Sequence, residues 1–353
     1  MSDQMRIAVA MSGGVDSSVA AGLLREAGQD IFGLMLRLQD GSEGPPNGCC
    51  APSDVAAARS VAAILEVPFY VVDARQAFEE RVISPFVSGY AQGLTPNPCI
   101  ECNRTIRFGL LLEHALALGA THLATGHYAR VDSDGTSRRL LTARDQAKDQ
   151  SYVLHVLTQR QLAHVIFPLG ELTKEEVRSH GRRMHLPVAD RPESQDLCFV
   201  QGDYRAFLAA RGVALAPGPI LNAEGGVIGA HAGLATYTLG QRKGLGIPAS
   251  EALYVIDKDV TRNALIVGGR SAIGRQQFSV SRINWIAGDP PADRFDASVQ
   301  VRYHAPRAAG RVNCTAPTGA HVLLAEREPD VAPGQSAVFY LDNLCLGGGI
   351  ISL

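Results

Sequence analysis

The stretch of residues 5–18, MRIAVAMSGGVDSS, constrains the fold most. An apolar, β-prone run gives way to Gly13 and Gly14, after which an Asp and two serines open a helix. With no Cβ at either glycine, the backbone can bend sharply and turn several N–H donors toward an anion at the positive end of that helix. The stretch therefore reads as a phosphate cradle behind the first strand. It has no Gly-Lys-Ser/Thr, the element with which a P-loop reaches the β and γ phosphates, so γ-phosphoryl transfer is disfavoured.

From residue 5 to about 130, short β-branched runs alternate with Ala- and Leu-rich helical stretches, the pattern of a parallel sheet wrapped by helices. Strands are expected at 6–10, 31–36, 69–72 and 122–125, and helices at 16–27, 53–65 and 106–118, with Gly28 and Gly119 as C-terminal caps. The expected class is α/β, a doubly wound parallel sheet. Its ligand would lie beyond the carboxyl ends of the strands, between the glycine loop and the loop after Thr125. Residues 39–52, rich in Gly and Pro, break the periodicity and read as a mobile lid. In TKEEVRSHGRRMH, Arg178 and Arg182 stand one turn apart and read as a solvated face. Beyond about residue 212, Gly- and Pro-punctuated β-like runs predict a small domain and then a β-barrel. The expected boundaries are 1–210, 211–272 and 273–353.

With 353 residues, 46% of them hydrophobic, the chain can bury a large core, and its formal charge of −2 gives no global basic field. Any nucleic-acid site must be a local patch. No leader-like segment or long uninterrupted apolar run is present, so no membrane is expected and the cytosol is the expected compartment. Seven cysteines at irregular spacing point to thiol or metal chemistry rather than a disulfide framework.

TPNPCIECNRTIRFG carries Cys99 and Cys102 as a C-x-x-C unit ahead of a helix. Helix dipole and the nearby Arg104 and Arg107 would favour a thiolate there. Cys198, in PESQDLCFV, can meet the pair only through folding. Half a zinc site and inert buried thiols are the competing readings. Cys49, Cys50, Cys314 and Cys345 read as structural.

The SGGxDS arrangement resembles the PP-loop of N-type ATP pyrophosphatases, which is Rossmann-like and splits ATP into AMP and pyrophosphate. SGGVDSS, TPNPxxxCN, ATGHYAR, KDQSY, TLGQRKGLG and PGQSAVFY, in this order over nearly the whole chain, resemble the bacterial tRNA 2-thiouridylase family. The resemblance implies a PP-loop domain, a central domain and a tRNA-holding barrel. It also implies adenylation of the C2 oxygen of the wobble uridine, followed by its replacement with sulfur. It assigns Ala10, Met11, Ser12, Gly13, Gly14, Val15, Asp16 and Ser17 to ATP, with Leu36 and Gly126 beside the adenine. Asp16 is expected to hold Mg²⁺ on the pyrophosphate. Cys102 becomes the nucleophile, and Cys198 the acceptor of a persulfide from a sulfur-donor protein, a cysteine desulfurase or a persulfide relay. Asn97, Pro98, Cys99 and His127 fall near the target base. Lys148, Asp149, Gln150, Arg302, Tyr303 and Gln335 fall on the tRNA. Cys99 stands where many members carry Asp, and Cys99, Cys102 and Cys198 could instead hold a [4Fe–4S] cluster, so both sulfur routes stay open. Two other readings of the residues stay open as well: a PP-loop synthetase adenylating a small metabolite, and a nucleotide-sensing module.

Overall fold

A computed structural model describes residues 5–39, 52–192, 197–200, 202–213, 215–249, 251–329 and 331–353. The expected lid at 39–52, with Cys49 and Cys50, lies almost wholly outside these residues.

The first domain contains β1 (Arg6–Ala10), β2 (Asp30–Arg37), β3 (Phe69–Asp73), β4 (His122–Thr125), the hairpin β5 (Arg130–Ser133) and β6 (Arg138–Leu141), and β7 (Val165–Ile166). All pairings in the order β3-β2-β1-β4-β7 are parallel. In β1, Ile7 and Val9 enter one apolar cluster while Ala8 enters another, as in a strand covered on both faces. The first cluster holds Val15 and Val19 of α1 (Val15–Glu26) and Ala58 and Val61 of α2 (Pro52–Ile64); the second holds Ile106 and Leu111. Helices thus pack on both sides. Gly28 (φ 74°) and Gly119 (φ 84°) take the left-handed conformation expected of C-terminal caps.

The cysteine-bearing helix starts earlier than expected. Asn97 accepts hydrogen bonds on its side-chain oxygen from the N–H groups of Cys99 (3.1 Å) and Ile100 (3.4 Å), and Pro98 follows. This cap nucleates a helical run over 98–117 that is π-helical through Cys102–Leu111. Cys99 and Cys102 therefore lie inside the helix rather than before it. Arg182 keeps an exposed pairing with Asp190, whereas Arg178 turns inward to donate to the carbonyl oxygens of Ala189 and Arg191, so the pair is not simply a solvated face.

The middle sheet comprises β8 (Gly218–Leu221), β9 (Val227–His231), β10 (Tyr254–Asp259) and β11 (Ala264–Gly268), in the order β10-β11-β8-β9. The last domain contains β12 (Arg275–Trp285), β13 (Arg294–Gln300), β14 (Ala308–Ala316), β15 (Gly319–Glu328), β16 (Ser336–Leu341) and β17 (Leu344–Ser352). They run antiparallel in the order β12-β15-β14-β13-β16-β17, and β12 also pairs with β17, closing a barrel. Along β15, Ala320, Val322 and Leu324 face the barrel core while His321 and Leu323 face outward.

The barrel is joined to the first domain through main chain and side chain alike. β6 extends its sheet, Leu140 opposite Cys345 and Leu141 opposite Leu344. Asn284 donates to the carbonyl oxygens of His155 (2.7 Å) and Leu157 (3.0 Å), and Tyr152 donates its hydroxyl to Ser336 O (2.9 Å). Burial at this seam pushes the His155 imidazole from 6.5 down to about 4. Its Nδ1 stands 2.7 Å from Tyr152 O and so must carry the proton of the neutral ring. Between pH 6.5 and about 4 the unfolded chain binds a proton that the folded chain refuses. The contribution is present above 6.5 and declines as pH falls, by on the order of 3 kcal/mol across the window. Urea unfolding at pH 7 and pH 5 is expected to show this acid-side loss, and it should shrink in His155→Gln; equal pH dependence in the two chains would refute the assignment.

Candidate active site

β1 lies between β2 and β4, and the chain reaches β4 only after building out to β3 on the other side, so the strand order reverses at β1. The loops after β1 and β4 flank the resulting crevice. A cavity of about 220 Å³ opens there, lined by Ala10, Met11, Ser12, Asp16, Ser17, Leu36, Thr125, Gly126, His127 and Gln150 among others. Of the residues expected around ATP, Gly13, Gly14 and Val15 shape the loop rather than the wall. Gly13 has φ 76°, and a Cβ there would come within 2.5 Å of Asp54 O. Only glycine fits. A Cβ on Gly126 would stand 2.6 Å from Ser17 N, so the β4 loop lies directly on the first turn of α1.

The serines are used locally. Ser17 Oγ accepts from Ser12 N (3.1 Å) and donates to Gly14 O (3.2 Å), and Ser18 Oγ donates to Gly14 O (2.8 Å). Together they hold the glycine turn open toward the cavity. Arg191 braces it from outside, donating to Gly13 O (3.0 Å) and pairing with the buried carboxylate of Asp54.

Asp16 faces the crevice, partly exposed, and its carboxylate accepts from Lys174 Nζ (2.7 and 2.8 Å) and from the Tyr128 hydroxyl (2.9 Å). Sequence reasoning missed Lys174 and Tyr128. Lys174 follows Thr173, which with Glu176 forms a capping box at the start of helix Lys174–Arg183, and that cap delivers the ammonium to the crevice. One carboxylate beside a phosphate cradle fits Mg²⁺, which commonly takes one or two carboxylates plus substrate oxygens.

The cysteine helix reaches the same cavity. Arg107 lines it and stands 3.1 Å from His127 Nε2, while Arg104 lies 3.6 Å from Glu101. The two guanidiniums expected to favour a thiolate thus also have His127 and Glu101 to attend to. His127 is buried, its Nδ1 2.8 Å from Thr125 Oγ1, and burial together with Arg107 drives its pKa well down, so the ring is neutral at physiological pH. Cys99 is exposed and Cys102 buried; Cys102 belongs to the second apolar cluster of the first domain, and Cys198 packs against that cluster. Asn103 anchors the helix by donating to Val153 O (3.1 Å). Among the described residues no three His, Cys, Asp or Glu side chains converge at metal-binding distance. Burial pushes Cys345 up to about 12 and raises Cys314 as well, in keeping with structural thiols.

Residues expected on the tRNA divide between surface and scaffold. Gln150 lines the cavity, its side-chain oxygen accepting from Tyr128 N (3.0 Å). Asp149 is mostly buried, accepting from Ala143 N (2.9 Å) and Ser151 Oγ (2.7 Å), with Arg307 at 3.5 Å. Lys148 is half-buried on the same loop. Gln335 donates to Thr95 O (2.7 Å), and Thr95 N donates to Pro333 O (2.9 Å), so a barrel loop holds the TPNP turn that precedes Cys99. Arg302 is exposed, and Tyr303 packs against Tyr152 with centroids 5.9 Å apart.

The fold and crevice define a PP-loop-type nucleotide domain carrying a central domain and a barrel. Family models agree in extent: one described as a tRNA methyl transferase HUP domain matches residues 5–202, a PRC-barrel domain of the same series matches 205–269, and an aminomethyltransferase β-barrel domain matches 275–351. The tRNA-specific 2-thiouridylase MnmA of Chloroflexus aggregans is 48% identical over 98% of both chains. That of Roseiflexus castenholzii is 45% identical over 98% of this chain and 99% of its own, and that of Moorella thermoacetica 46% over 97% and 98%. The chain belongs to the tRNA-specific 2-thiouridylase family.

Proposed function

We propose that this chain is an ATP-dependent tRNA sulfurtransferase that converts the wobble uridine to 2-thiouridine in the cytosol. The observation that carries this is the shared crevice. The glycine cradle, Asp16 and Lys174 meet at one side of the cavity, and Arg107, from the helix of Cys102, reaches the other.

ATP lies with its phosphates on the cradle and its adenine beside Leu36 and Gly126. Asp16 would hold Mg²⁺, which when bound would supply charge neutralisation for the pyrophosphate. The uracil C2 oxygen attacks the α-phosphorus and pyrophosphate leaves. Asn97, Pro98, Cys99 and neutral His127 surround the everted base, which costs only a few kcal/mol to unstack in a loop. A cysteine desulfurase or persulfide relay loads Cys198 as a persulfide. Its outer sulfur attacks C2 and expels AMP, leaving C2 joined through sulfur to Cys198. The Cys102 thiolate then attacks the Cys198 sulfur, which forms the Cys102–Cys198 disulfide and releases the thiocarbonyl. A reductant resets the disulfide.

The test incubates the chain with tRNA, Mg²⁺-ATP and a persulfide donor. AMP, pyrophosphate and 2-thiouridine are expected in equal amounts, all dependent on tRNA. ADP as product, or nucleotide cleavage indifferent to tRNA, would overturn the reading.

A further inference from the structure

Phe199 follows Cys198 and has no part in the chemistry above, yet it is only 3% exposed, whereas Cys198 is half-buried. Val200 N donates to Leu197 O (3.0 Å), so Cys198 and Phe199 are the two central residues of a tight turn. One corner carries the sulfur and the other carries the ring. That ring meets three others: Phe86 edge-on with centroids 5.3 Å apart, Phe207 at 5.5 Å, and Phe78 edge-on at 5.8 Å. Edge-to-face contact at such spacing is a favoured aromatic geometry, and a slip or tilt of either ring loses it.

The rings come from separate parts of the chain. Phe78 ends the helix Arg75–Phe78 and Phe86 lies in the helix Ser84–Ala91, both of the first domain, while Phe207 belongs to the helix Tyr204–Ala210 that leads into the middle domain. That helix is fastened on both sides. In the middle domain, Thr236 O accepts from Arg205 Nε (3.1 Å) and from the Tyr204 hydroxyl (3.4 Å). Toward the first domain, the Tyr204 ring lies 5.6 Å from that of Tyr90, and Arg211 pairs with Glu79 while its guanidinium stands 5.1 Å from the Phe207 ring centroid. Sulfur transfer asks Cys198 to present its sulfur first to C2 and then to Cys102, and such steps tolerate little misplacement. A buried ring one residue away, gripped from two domains, supplies a fixed reference point for that sulfur.

We propose that Phe199 is a positioning residue for Cys198, and that the middle domain serves sulfur transfer by completing the ring cage through Phe207. The proposal rests on Cys198 being the persulfide carrier. When the sulfur is out of place, water attacks the adenylated base instead and returns uridine and AMP, so nucleotide is consumed without thiolation. The test compares Phe199→Ala, the more conservative Phe199→Leu, Phe207→Ala and Cys198→Ser with the unaltered chain, given tRNA, Mg²⁺-ATP and a persulfide donor. The yield of 2-thiouridine per AMP is expected to fall by up to about 10²-fold in Phe199→Ala, less in Phe207→Ala, and to recover partly in Phe199→Leu, while tRNA-dependent pyrophosphate release is kept. Phe207 is half-buried, so Phe207→Ala carries the test if Phe199→Ala does not fold. Without tRNA, alkylation of Cys198 by iodoacetamide, read by peptide mass, should be faster in the alanine variants. An unchanged alkylation rate in the folded alanine variants overturns the anchor, and loss of pyrophosphate release in step with thiolation overturns the positioning role. If the ring variants keep the full yield while Cys198→Ser loses thiolation, positioning is refuted and the Cys198 reading stands. If Cys198→Ser thiolates as well as the unaltered chain, that reading fails and the proposal with it.

Discussion

Asp16→Ala is expected to abolish AMP formation, lowering pyrophosphate release at least roughly 10³-fold, the scale of removing one preorganised electrostatic contact from a transition state. The carboxylate has two duties: among the described residues it is the acidic group of the crevice wall suited to Mg²⁺, and it holds Lys174 and Tyr128 over the cradle. Truncation removes the Asp16 carboxylate from a largely buried ammonium. Release of pyrophosphate, followed with tRNA present, together with a circular dichroism check of folding, reads out the result. Undiminished release from the folded variant would remove Asp16 from the mechanism.

Cys102→Ser should eliminate 2-thiouridine while leaving tRNA-dependent pyrophosphate release largely intact, because adenylation precedes the thiol step. A hydroxyl at this position cannot resolve the bond to Cys198 by thiol–disulfide exchange. Nucleoside analysis of the recovered tRNA is the measurement. Wild-type amounts of thiolated base from this variant would refute the role of Cys102. Removing residues after about 275 is a poorer probe of RNA binding by the barrel. Ile286, Val338, Tyr340 and Cys345 belong to an apolar cluster of the first domain, and their loss would open that core.

Strands such as RIAVA and DIFGLMLR were readable because a strand buried on both faces is apolar throughout, whatever surrounds it. The glycine cradle was readable because a turn with open N–H donors demands Gly there. Lys174 was not, since it reaches Asp16 across 158 positions and only the folded sheet brings them together. Its local signal, a Thr-Lys-Glu-Glu capping box, announces a helix start and not a destination. The start at Asn97 was legible in principle: an N-cap residue followed by Pro marks a helix, but the preceding Pro96 disguised the segment as loop. Gln335 stood out only through family resemblance, and its bond to Thr95 gives it a local physical role.

The pairing of Leu140 and Leu141 with Leu344 and Cys345 has a consequence for biosynthesis. A hairpin made at residues 130–141 waits for a neighbour that is translated only at residues 344–345. The nascent segment must carry that uncovered edge until residues 344–345 are made, so a product stalled or clipped before them would expose it to other strands.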